Sequence, residues 1–509
     1  MKMKGFAVLA FGTAAGAAAY SKKVECCSAL AGSPGLKGQV YYPNSTAYED
    51  RIVTYWSVNA ALEPWCMVLP SNTAATSEVI QVITKHQCPF GIRSGGHAIW
   101  TGSSSIHDGV TIDLGHINST TYDPVTKLAS LGPGQSWASV YGTLDPLGVT
   151  VAGGRSAQVG VGGFLLGGGN SLHAHAHGLG ATNVENFEVV LANGTIVNAN
   201  RDENSDLWVG LRGGSGNMGL VTRFDMRIIE YADPSNPQIW GGGLDWEVNK
   251  TDEVLAAFGE FANNIPDEPD SGAFCIWGWG PPYPYPENVI IACALDNTRN
   301  IVAPVVYDKI LGIGDEISNT LSSRTMLNRT VEGNAGDDYL YRNVWVTGSY
   351  QNDPRVLAFS IQRWKVAIQQ FKDRIGEEND DGISASLQFH PLTVTMATRG
   401  DGPDSLGLKR HFAHQKGTGI QTLLALTTGK AKYFDIVREI GLSYQQDVDE
   451  YAESLGLNWG WKYLNYADPA EKPYLTLGES TLQELRDVRE KYDPAGVFQY
   501  LRKTGFKIP

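Results

Sequence analysis

The stretch "FGIRSGGHAIWTGSSS" (residues 90–105) decides how the rest of the chain is read. Paired glycines let a turn crowd its backbone amides around an anion. A histidine directly after them, His97, sets a nucleophile or ligand beside that anion. The stretch is not a Walker loop, which needs Gly-Lys-Ser/Thr, and it lacks the GxGxxG spacing of a dinucleotide fingerprint. The anion and the task of the imidazole must come from the surrounding chain.

The 58 glycines are concentrated in "GGRSAQVGVGGFLLGGG" (153–169) and "LRGGSGNMG" (211–219), a pattern of main chain packed against a ligand. Before the opening stretch, "SNTAATSEVIQVITKHQ" predicts a short helix with Val79, Ile80, Val82 and Ile83 on its apolar face. Strands with glycine turns follow to about residue 230: "GVTIDL", "LVTRFDMRII" and a hairpin in "FEVVLANGTIVNA" with Asn193-Gly194 as its two-residue turn. "DPSNPQ" (233–238) is a break. Beyond it strands alternate with longer helices, and Leu357, Ile361, Trp364, Ile368, Phe371 and Ile375 form one buried helical face. The aromatics of "FCIWGWGPPYPYPENV" fill a sheet core in preference to stacking on a flat substrate. A last helix, "STLQELRDVREKY", opens on a Ser480…Gln483 capping box.

Over 509 residues, 42% hydrophobic and 18% charged, the composition is that of a globular protein with room for more than one core. A net charge of −14 without any basic block argues against nucleic acid or an anionic membrane as partner. Residues 1–20, two lysines and then a short alanine-rich apolar run, read as a secretory signal. Asn-x-Ser/Thr sites at Asn44, Asn118, Asn193, Asn249 and Asn328 point the same way. Cys26, Cys27, Cys66 and Cys88 allow two disulfides between an N-terminal arm and the first domain, with buried free thiols as the other reading. Cys275 and Cys293 lie in strand-like runs and fit either state. The expected location is secreted or lumenal.

"IRSGGHAIWTGSS", "GVTIDL", "VGVGGFLLGGG", "LRGGSGNMGLVTRF" and the terminal "WKYLNYADP" with "YDPAGVFQ" occur in this order. In that order the chain resembles the FAD-linked oxidoreductases typified by berberine bridge enzyme, within the vanillyl-alcohol-oxidase-like flavoproteins, and is most similar to fungal members. The resemblance implies an α+β fold: a PCMH-type FAD-binding domain of two α/β subdomains (40–230), a substrate domain with an antiparallel sheet backed by helices (231–455), and a C-terminal segment (456–509) that completes the FAD domain. It implies that Arg93, Ser94, Gly95 and Gly96 wrap the FAD pyrophosphate, with His97 bonded to the flavin 8α-methyl. It places Gly160, Gly162, Gly163, Gly168 and Gly169 against the flavin and pyrophosphate, and Gly219 and Val221 beside the adenine end. Many relatives add a cysteinyl bond where this chain has Ser156, so a single covalent link is expected. Val159 matches a position that admits or blocks dioxygen, and its small side chain suits an oxidase.

Oxidation at carbon needs a base for the substrate O–H or N–H, and a tyrosine serves if a cation or second phenol favours its ionisation. The resemblance points to Tyr463, with Asn465 next in line and Tyr466 as the fallback. Lys462 would point away from Tyr463 on a strand. Gln388 and His390, on one strand face, are candidate substrate contacts. His173, His175 and His177 would share a face if extended, but no fourth ligand is at hand, so no metal site is assigned. The function so implied is an oxidase that oxidises an alcohol or amine carbon, or dehydrogenates a small molecule, in fungal secondary metabolism with dioxygen as acceptor. A secreted carbohydrate oxidase and a non-redox flavoprotein isomerase or cyclase are the alternatives.

Overall fold

The computed structural model describes residues 11–281, 283–333, 341–376, 382–400, 403–414 and 417–509, and builds them into three sheets. Residues 1–10, the first half of the segment read as a signal, lie outside the described residues. The first sheet runs Val40–Tyr41, Cys66–Val68, Val110–Asp113, Phe90–Arg93, and its last three strands are parallel. Parallel neighbours need a crossover. Helix Thr73–Lys85 carries the chain over from Cys66–Val68 to Phe90–Arg93, on either side of Val110–Asp113, its N-terminus capped by the Asn72 side chain accepting from Ala75 N, with Val79, Ile80 and Ile83 buried. The strand Phe90–Arg93 runs straight into the Ser94–His97 turn.

The second sheet is antiparallel, in the order Thr120–Asp123, Leu128–Leu131, Leu220–Glu230, Val184–Val190, Ile196–Asn200. The hairpin between its last two strands forms as expected, but its turn lies one residue earlier. Gly194 N donates to Leu191 O, so Ala192 and Asn193 are central and Gly194, at φ 84°, follows in the left-handed region. That is a type I turn closed by a glycine bulge, which needs only one positive φ where Asn-Gly as the centre would need two.

The third sheet has eight strands. Its central run is antiparallel throughout: Ile239–Trp246, Val289–Asn297, Ser271–Trp279, Ser384–Leu392, Gly419–Thr428, Arg342–Gln351. The period of two divides each strand between two environments. Cys275, Trp277, Ala385, Leu387, Phe389, Leu424, Leu426, Val344 and Val346 face a core shared with helices Thr251–Asn264, Pro354–Arg374 and Phe434–Ser454. Phe274, Ile276, Gln388, His390, Leu423, Ala425 and Trp345, their neighbours in sequence, face a cavity. The six apolar positions of the long helix, Leu357 to Ile375, are all buried as their spacing requires.

Two disulfides, Cys26–Cys88 and Cys27–Cys66, fasten the helix Phe11–Ala31 to the first sheet, and Cys275–Cys293 joins facing residues of adjacent strands. The chain end returns to its start: Arg502 bridges to Phe90. The last helix, Glu479–Tyr492, opens after Gly478 with no side-chain cap, so Ser480 lies inside it and the expected capping box does not form. Gly478, at φ 91°, turns the chain into the helix there. The architecture is α+β.

Candidate active site

A cavity of about 920 Å³ lies between the glycine-rich segments and the open face of the third sheet. The turn after Phe90–Arg93 forms one wall. Gly96 takes φ 74°, and a Cβ on Gly95 would stand 2.6 Å from the Cα of Gly160. Only two glycines can meet there, which brings "SGGH" and "VGVGG" into backbone contact. Ser94 fixes the junction: its hydroxyl donates to Pro133 O and accepts from Gly162 N. His97 stacks on Trp56 at 4.6 Å. Burial pushes its imidazole down to about 4, so the ring is neutral and keeps a lone pair. Its Nε2 is buried without a hydrogen-bond partner. Ser156, Val159, Gly160, Gly162, Gly163, Gly219 and Val221 also line the cavity. A Cβ on Gly163 would meet nothing within 4 Å, so this main chain is bare toward the space it faces.

Three of the expected cofactor contacts do otherwise. The Arg93 guanidinium turns into the domain, donating to Arg51 O and Thr54 Oγ1 and pairing with Asp113. Gly168 and Gly169 do not line the cavity but cradle the C-terminal motif. Their positive φ values, 118° and 81°, let Gly169 N and Asn170 N converge on the hydroxyl oxygen of Tyr463 at 3.0 and 2.9 Å. Asn465 Nδ2 donates to the same oxygen at 3.2 Å and to Phe164 O at 3.1 Å. These donors favour a phenolate, but burial is the larger effect and pushes Tyr463 up to about 12. Tyr463 is thus a protonated post that ties two glycine-bearing segments together. Lys462 points away from it, into Asp449 and Thr347 O.

Tyr466 occupies a different setting. Its hydroxyl accepts from Arg155 Nη2 at 2.9 Å. Arg155 Nη1 lies 3.2 Å from His390 Nδ1, and His390 Nε2 lies 3.2 Å from Gln388 Oε1. A guanidinium only donates, so Nδ1 is the acceptor and Nε2 carries the imidazole proton toward Gln388. Burial and the adjacent Arg155 hold His390 well below the ordinary imidazole range, in keeping with that neutral tautomer. Arg155 also sits over the Phe274 ring at 4.9 Å. Gln388, His390 and Tyr466 are thereby joined by a residue that sequence reading passed over. The signal was there: a lone arginine between Gly154 and Ser156, inside a glycine run read as backbone hugging a ligand.

The aromatic stretch divides: Trp277 is core, while Phe274 and Tyr283 line the cavity. The histidine run is helical over Ala174–His177, so its rings do not share one face of a strand; His175 Nδ1 instead meets Thr393 Oγ1 at 3.0 Å.

The segment 64–200 matches the family described as FAD binding domain. Over 486 residues the chain is 36% identical to the FAD-dependent monooxygenase sdcF of Emericella nidulans, spanning 95% of this chain and 98% of that protein. The chain belongs to the family of fungal FAD-linked oxidoreductases that includes this monooxygenase. Solved structures share the fold: BBE-like 1 of Physcomitrella patens superposes with a TM-score of 0.73 at 18% identity, over 95% of this chain and 99% of that one. A chitooligosaccharide oxidase superposes with a TM-score of 0.69 at 20% identity, over 95% and 99%. The enzyme therefore uses FAD, and the cavity suits it. Bare glycine main chain forms one wall, and Ser103 and Ser104 leave buried hydroxyls without partners on the same cavity.

Proposed function

We propose that this flavoenzyme oxidises or dehydrogenates a small, flat, largely apolar molecule of fungal secondary metabolism, with dioxygen as the final acceptor. The observation that carries this reading is the sheet wall of the cavity. Phe274, Ile276, Ala292, Leu423 and Ala425 make it apolar, and Arg155, Tyr466, His390 and Gln388 gather its polar groups at one place. Other polar groups on that wall are already engaged: Ser384 with Thr427, and Asn343 with Ser57. A sugar would find few partners there, which disfavours the carbohydrate oxidase.

Bound FAD supplies a two-electron acceptor, and the protein supplies placement and proton handling. His97, neutral and with its Nε2 unpartnered, is the residue we assign to a covalent bond with the flavin. All six cysteines lie in the three disulfides, so no thiol remains for a second bond. Tyr466 replaces Tyr463 as the proposed proton acceptor, because of the two cavity-lining tyrosines its hydroxyl is the one held by a guanidinium, which stabilises negative charge upon it. Val159 and Ser156 remain cavity-wall residues under this reading. We place the enzyme in the secretory pathway, supported by the paired cysteines and by the exposure of Asn44, Asn118, Asn193, Asn249 and Asn328.

Acid precipitation tests the linkage. The wild type should give a yellow pellet and His97→Ala a colourless one; a colourless wild-type pellet refutes the bond. The name of the Emericella nidulans relative favours a second reading, oxygen insertion. Turnover under labelled dioxygen separates the two: peroxide without label in product supports the oxidase, and labelled product supports the monooxygenase.

A further inference from the structure

Among the described residues, Arg155 is a cation on the cavity wall without a matching anion. Its hydrogen bonds go to uncharged groups, the Tyr466 hydroxyl and the neutral His390, and its remaining close neighbour is the Phe274 ring. The carboxylate that feels its field, Asp296, is buried and already held by both arms of the Arg329 fork. No ion pair is formed by Arg155 among the described residues. A guanidinium has five N–H donors, and two are used here, so donors remain for a ligand. General basicity does not explain it, since the chain carries a net −14. A partly desolvated charge costs free energy unless it is paired, and no described residue pairs it.

We propose that the substrate is an oxygen acid, a phenol, enol or carboxylic acid, bound as its anion to Arg155 with its apolar body against Phe274, Ile276 and Leu423. This deepens the reading of the cavity as the substrate pocket and rests on it. Tyr466 and His390 grip the guanidinium through its two terminal nitrogens and fix its plane, so they are positioning residues for the anion site. Arg155 determines specificity.

The test is a titration of purified holoenzyme with two pairs of probes at alkaline pH. 4-Nitrophenolate is compared with neutral 4-nitroanisole, and benzoate with neutral benzamide. Nitrophenolate binding is read from its own absorbance, and the others by calorimetry. A charge-assisted hydrogen bond should favour an anion over its neutral isostere by about ten- to hundredfold. The pair that shows the preference tells a phenolate site from a carboxylate site. The preference should vanish in Arg155→Met and persist in part in Arg155→Lys. Equal binding of anion and isostere to the wild type, binding of neither, or a preference that survives Arg155→Met overturns the proposal. Should Arg155→Met fail to fold, the wild-type comparison and Arg155→Lys still decide. Flavin content is measured separately, so a protein lacking flavin refutes the redox reading and leaves the anion result standing on its own.

Discussion

The two tyrosines of "YLNY" should fail in opposite ways when each loses its hydroxyl. In Tyr463→Phe, Gly169 N and Asn170 N lose their acceptor in a buried place, while Asn465 keeps its bond to Phe164 O. An unsatisfied buried donor costs about 1–3 kcal/mol, so two cost about 2–6 kcal/mol. At an unfolding entropy of about 2.1 cal/mol/K per residue, a chain of this length loses only a few degrees of Tm. In Tyr466→Phe the sole hydrogen bond lost is from Arg155, which keeps His390. Tm should hold, and turnover should fall by the 10²–10⁴-fold typical of a missing general base. Calorimetry gives Tm, and anaerobic flavin bleaching with a substrate found by peroxide screening gives the rate. If Tyr463→Phe keeps its Tm but loses turnover while Tyr466→Phe turns over normally, the assignment of roles is wrong.

Acid should destabilise the enzyme in a definite window. His173 and His175 are held down to about 3 and about 4 by burial, and His390 lies well below its ordinary value. Below about 6.5 the unfolded chain binds protons that these folded imidazoles refuse, so stability falls as pH drops from 6.5 toward 4. For His175 alone the difference amounts to about 3 kcal/mol. Glu471, raised to about 7 by burial, titrates in the opposite sense, as do Asp145, Asp245, Asp296 and Asp493, while His97 and His411, held down to about 4, add to the loss. A Tm that is flat across this range would count against neutral buried histidines. Separately, Gly95→Ala puts a Cβ 2.6 Å from Gly160 Cα, where only backbone can yield. Overpacking of this kind costs about 1–3 kcal/mol, and purified protein should show a lower ratio of flavin to protein absorbance. An unchanged ratio would separate this contact from flavin binding.

Much of the candidate site was legible because it is written in short segments. The Gly-Gly-His turn needs neighbouring residues to supply its positive φ and its ring. The alternation that sends Gln388 and His390 into the cavity and Leu387 and Phe389 into the core is local too. The helix with Leu357, Trp364 and Phe371 declares its buried face by spacing alone. Where the reading slipped, the deciding contact came from elsewhere in the chain. Gly168 and Gly169 look like cofactor glycines in sequence, yet their partner is Tyr463, nearly three hundred residues on.

By itself, then, the sequence determined the order of the motifs and the glycine-lined ligand contact, since glycine placement is a property of consecutive residues, and the family resemblance those motifs carry implied the α+β class and flavin chemistry. Only the tertiary structure decided which partners hold each tyrosine hydroxyl and that Arg155 joins Tyr466, His390 and Gln388. The physical reason is that "WKYLNYADP" lies outside regular strand and helix, so no period dictates which side each phenol takes. Its orientation follows from distant partners: a pair of amides captures one hydroxyl, and a guanidinium captures the other.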